Sequence, residues 1–172
     1  MGYRSQVGGV FSVDGWNGEP EDIAKYKLKY KEMIGFIKLS EFYRIMQEED
    51  KDCIGWRAGS FYFYAQDWKW YPQYEVVQAW DKLWASMQEV EGISGYFCRV
   101  GEETADIVQE DFGDEPDFEA FQPYSGMYCE VMGEVFGNGD IDKEFSDEEK
   151  TKKEDTATTQ PDCSGANHAT QA

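Results

Sequence analysis

The 172 residues include 35 acids and 16 basic residues, a formal net charge of −19. Such a chain is repelled by nucleic acid and by anionic membrane, which excludes both as direct partners and favours basic protein surfaces. With 41% hydrophobic and 16% aromatic residues it is not a disordered acidic chain either, because disorder goes with few aromatics.

Residues 3–13, with Val7, Val10, Phe11 and Val13, read as an opening strand, and Asp14 to Gly18 as a turn. Pro20 among Glu19, Glu21 and Asp22 suits a helix start, with acids facing the helix dipole. That helix is expected to reach about Met33. A second piece starts at Ser40, or 20–48 is one bent helix with Gly35 as the break. Ser60 to Gln66 is a dense aromatic strand, continued by 67–71 as a bulge or kinked extension and ended by Pro72. Val76, Val77, Trp80, Leu83, Trp84, Met87 and Val90 recur at spacings of three and four, which predicts a helix stopped by Gly92. Ile93 to Val100 reads as a strand with Tyr96 and Cys98 on one face and Phe97 on the other. It forms a hairpin with Ala105–Asp111. A loop with Gly113, Pro116 and Pro123 precedes a last strand over Tyr124–Phe136. The expected fold is α+β: a mainly antiparallel sheet with two or three helices on one face. The domain spans 1–137, and 138–172 forms a flexible acidic tail in which apolar content collapses. That tail holds nine acids and four lysines, so −14 of the charge lies in the domain itself.

The acidity concentrates between residues 102 and 119, where nine carboxylates stand without a lysine or arginine: Glu102, Glu103, Asp106, Glu110, Asp111, Asp114, Glu115, Asp117 and Glu119. On a strand, Asp106 and Glu110 share a face about 13 Å apart. A row of anions of this kind resembles the sequence-independent part of DNA, and basic DNA-binding clefts would be steered onto it. The alternative is a solvated acidic hairpin. Glu48, Glu49 and Asp50 are a possible extension of the field.

Other features carry less. Cys53, Cys98, Cys129 and Cys163 are spread without a CxxC pair, and the one histidine is His168, so no metal site or cofactor is expected. Free thiols, no apolar stretch after Arg4 and no membrane-length segment point to the cytoplasm. Asn138, Asp140, Asp142, Ser146 and Glu149 fall at calcium-loop positions, but Lys143 occupies the place of the required glycine. Trp68, Trp70, Tyr71, Tyr74, Trp80 and Trp84 cluster in sequence. They read mainly as core, with an open cavity beside Trp68, Trp70 and Tyr74 as the pattern that would favour a small-ligand binder.

Three segments in order carry a resemblance: Met1-Gly2-Tyr3-Arg4-Ser5, Trp68-Lys69-Trp70-Tyr71-Pro72, and Tyr96-Phe97-Cys98-Arg99-Val100-Gly101-Glu102-Glu103 followed by Asp106-Ile107. They are similar to those of a group of small, largely uncharacterised bacteriophage proteins, over residues 1–136. Thr104 and Ala105 depart from that pattern, standing where the group tends to have further acids or tyrosine. The resemblance implies a phage product acting in a bacterial cytoplasm and supplies no catalytic residues.

Together these readings predict a non-enzymatic interaction protein. It would use the carboxylates of 102–119 to bind and inhibit a basic bacterial protein, one that normally binds nucleic acid or serves in defence, by mimicking DNA charge. The alternatives are a sequestering protein with an aromatic ligand pocket, or a phage accessory protein without a host partner.

Overall fold

A computed structural model describes residues 3–15, 22–57, 59–103 and 105–121. The expected strand 124–136, the tail and the calcium-like loop lie outside the described residues. Among the described residues, five strands form one antiparallel sheet: β1 Ser5–Val13, β2 Ile54–Arg57, β3 Ser60–Trp68, β4 Ile93–Gly101 and β5 Ile107–Phe112, in the order β2-β3-β1-β4-β5. Three helices, α1 Ile23–Leu39, α2 Glu41–Glu49 and α3 Glu75–Gln88, pack on one face, giving the expected α+β architecture.

Alternation along the strands divides the sheet in two. Val7, Phe11, Phe61, Phe63, Ala65, Ile93 and Phe97 face the helices and join Tyr30, Met33, Phe42, Met46, Trp80 and Met87 in the main core. Val10, Tyr62, Tyr96 and Cys98 face the other way and are covered by Ala120 and Phe121, which follow a short 3-10 turn at Phe118–Ala120. Tyr96 and Cys98 therefore lie opposite Phe97, as the spacing predicts. The central strand β1 is in contact on both faces. A methyl group at Gly9 would come within 2.5 Å of the Trp80 ring, and one at Gly8 within 2.5 Å of Phe121. Only glycine lets both rings approach the backbone so closely.

Two helix details differ from expectation. α1 runs past Met33 because Ile34 and Ile37 continue its buried stripe. Gly35 does not break it, since its Cβ position points into open space. The break is Ser40, whose extended backbone (ψ 151°) ends α1 and whose hydroxyl accepts the Tyr43 N–H at 3.1 Å to cap α2. The sequence pattern does not indicate β2, a four-residue strand that pairs with β3 and is followed by Gly59 at φ +84°. The bulge expected after Gln66 is present, with Asp67 at φ +62° and a register shift against β1 between Ser5 and Val7.

Candidate functional site

β5 is an edge strand that pairs with β4 alone among the described residues. Its register, Phe97 opposite Glu110 and Tyr96 opposite Asp111, sends Val108, Glu110 and Phe112 to the helix face and Ile107, Gln109 and Asp111 to the other. Asp106 immediately precedes the strand and shares the Glu110 side, as the sequence spacing predicts. Glu110 and Asp111, however, project to opposite faces. The acids therefore bracket the sheet edge from both sides instead of forming one row on one face.

The nine carboxylates fall into two groups. Three are engaged within the fold. Asp106 binds Arg99 through two hydrogen bonds, at 2.8 and 3.0 Å, and accepts a further one from the Tyr3 hydroxyl. Arg99 and then Tyr3 hold its carboxyl below the usual carboxylate range, while the bond to Asp106 pushes the Tyr3 phenol up. Glu115 accepts the Gly15 N–H at 2.9 Å, and Asp117 accepts the Tyr62 hydroxyl at 3.2 Å. Burial raises the Tyr62 phenol, and the Asp117 charge adds to the shift. The other six, Glu102, Glu103, Glu110, Asp111, Asp114 and Glu119, are exposed. Their carboxylates form no ion pair or hydrogen bond with another described residue. The hairpin tip that carries Glu102 and Glu103 is itself anchored: the Glu103 N–H donates to the Tyr3 oxygen at 3.2 Å, and the Gly101 N–H donates to the Asp106 carbonyl at 2.8 Å.

Glu48, Glu49 and Asp50 do not extend this field. They end α2 and lead into β2 at the opposite edge of the sheet, and Glu48 is paired with Arg44 at 3.0 Å.

The aromatic cluster divides as well. Trp80 and Trp84 are core, 2% and 9% exposed, and Tyr74 stands 38% exposed beside Tyr71. Between the start of α3, the turn at 70–72 and the β4–β5 ladder lies a cleft of about 480 Å³. Trp70, Tyr71, Trp80, Trp84 and Phe97 line it. Trp70 is held in place by stacking on Phe63 at 5.9 Å and on Trp68 at 6.5 Å. The Tyr3–Arg99–Asp106 network forms part of the wall, which also includes Asp81 and Glu110. Of the polar groups here, sequence reasoning reached Asp106 and Glu110 but missed Arg99, Asp81 and Tyr3. Arg99 was within reach, since it stands two residues beyond Phe97 on β4 and so shares its face.

Burial, with help from Asp50, pushes the Cys53 thiol up to about 12, and burial also raises Cys98. Among the described residues no group of three or more His, Cys, Asp or Glu is placed to hold a metal ion, and no helix is long and apolar enough to cross a membrane. No family model matches the chain, and no curated protein or solved structure matches it either.

Proposed function

We propose that this chain is a non-enzymatic interaction protein whose acidic β5 rim occupies a basic, nucleic-acid-binding surface on a bacterial protein. One observation carries the reading: five exposed carboxylates without a partner among the described residues, Glu102, Glu103, Glu110, Asp111 and Asp114, gather on one sheet edge and its flanking turns, while Glu119 lies on the 3-10 turn that crosses the back of the sheet. Unpaired charges held on a rigid scaffold attract an oppositely charged surface without first breaking internal ion pairs. Acids on both sides of the edge form a ridge that suits a cleft better than a flat surface. Cys53 and Cys98 supply no nucleophile, because thiols raised this way stay protonated at neutral pH. The phage-like segments add the bacterial cytoplasm as setting and a nucleic-acid-processing or defence protein as partner.

The test is capture from bacterial lysate on the immobilised protein at low salt, followed by elution with duplex DNA. A nucleic-acid-binding protein bound stoichiometrically and displaced by DNA is the expected result. Capture that DNA leaves in place would sink the charge-mimicry mechanism.

The aromatic cleft supports a second reading, a binder of small ligands, because about 480 Å³ is within the range of ligand sites.

A further inference from the structure

We propose that the cleft beside Trp70 binds a small organic cation, an alkylated ammonium or a guanidinium, held against the aromatic rings by Asp81 and Glu110. This does not depend on the acidic rim having a protein partner.

Charge accounting in the wall selects the ligand class. Among the described residues Arg99 is the only cation lining the cleft, and both of its terminal nitrogens are committed to Asp106. That pair is neutral as a unit and leaves no free fork for an anionic ligand. Asp81 and Glu110 remain, and neither carboxylate forms an ion pair or hydrogen bond with another described residue. Partial burial raises the Asp81 carboxyl, and no opposing charge offsets that shift. A bound cation would supply that missing charge. An anion would meet two uncompensated carboxylates inside a chain of net charge −19.

The remaining wall suits the same ligand. Cations are attracted to the negative faces of aromatic rings, tryptophan most strongly, and the attraction grows as the site is desolvated. Trp70 is the half-buried ring, stacked from behind by Phe63 and tilted at 33° to Phe97, whose centroid is 5.8 Å away. Trp80 and Trp84 stand behind it as buried core. The rings are thus braced before any ligand arrives, which limits the ordering cost of binding.

The experiment follows the tryptophan indole N–H signals by NMR while the full chain is titrated with choline, with N-acetylarginine amide, and with 3,3-dimethylbutanol, the uncharged isostere of choline. The expected result is saturable shifts of the Trp70 signal with the two cations and affinity about tenfold weaker for the alcohol. Asp81→Asn combined with Glu110→Gln should weaken cation binding about tenfold and leave alcohol binding unchanged. Both side chains belong to exposed residues, so an unchanged thermal midpoint serves as the folding control. Equal affinity for cation and alcohol would overturn the proposal, since the cleft would then be an apolar site. So would the absence of saturation by either cation at about 50 mM.

Discussion

Replacing Asp106 by alanine tests whether this carboxylate belongs to the fold or to a binding surface. It removes two charge-assisted hydrogen bonds to Arg99, of 2.8 and 3.0 Å, and the acceptor for the Tyr3 hydroxyl. Deleting one partner of a fully buried ion pair costs about 3–5 kcal/mol, whereas an exposed pair is worth about 0–1 kcal/mol. The Arg99 and Asp106 side chains are 18% and 29% exposed, which places the loss between those limits, at about 2 kcal/mol. For a domain of this size that lowers the melting temperature by about 4–8 °C. The pH dependence gives a second readout. Arg99 and Tyr3 depress the folded-state value of Asp106, so its stabilisation is complete above the unfolded value of about 3.9 and is lost as pH falls through the lower folded value. Urea denaturation of wild type and Asp106→Ala at neutral pH, and again at pH about 2, measures both effects. A neutral-pH difference below about 0.5 kcal/mol, or one that persists undiminished in acid, would refute the assignment of Asp106 to the fold.

Three further outcomes are expected. Gly9→Ala should destabilise the protein by about 2–3 kcal/mol in the same assay, because the new methyl is forced against Trp80 and Phe63 on the buried face of the central strand. Ala105→Gly should raise the melting temperature slightly, by the equivalent of up to about 1 kcal/mol, since Ala105 holds φ at +69° in the hairpin. Cys53 and Cys98 should resist alkylation at neutral pH in the native state and react on unfolding, as read by mass spectrometry of peptides. Fast labelling of Cys98, which is fully buried, would contradict its packing between the sheet and Phe121.

Much of the fold is legible in the sequence wherever a periodic pattern meets one buried face. The spacing of Trp80, Leu83, Trp84 and Met87 identifies α3, and alternation correctly separates Phe97 from Tyr96 and Cys98. β2 is not legible in the sequence because four residues, Ile54 to Arg57, are too few for a period, and their pairing with the longer β3 decides the matter. Gly35 reads as a possible helix break because propensity is a local quantity. The continuing stripe of Ile34 and Ile37 overrides it, and the cap at Ser40 ends the helix. The acidic stretch is visible as charge, but sequence does not reveal which charges are already paired. Asp106, Glu115 and Asp117 look like Glu110, Asp111 and Asp114 until the fold brings Arg99, Gly15 and Tyr62 to the first three. The cleft is harder still to foresee, since it joins Tyr3, Trp70 and Asp81 to a hairpin distant in sequence.

Acids on a strand that is an edge among the described residues also discourage edge-to-edge pairing with other sheets, whatever they bind. The two roles separate under charge reversal. Lysines on an edge blunt it as well as acids do, but they would repel a basic partner.

The most direct measurement is therefore a side-by-side capture from bacterial lysate with wild type and the triple variant Glu102→Lys, Asp111→Lys, Asp114→Lys. All three positions are exposed, lie outside the cleft and have no ion pair or hydrogen bond through their carboxylates with another described residue. The expected result is a basic nucleic-acid-binding protein retained by wild type, released by salt, and absent from an equally stable variant. The same protein retained by both, with the same salt profile, would contradict the assignment of the β5 rim as the binding surface.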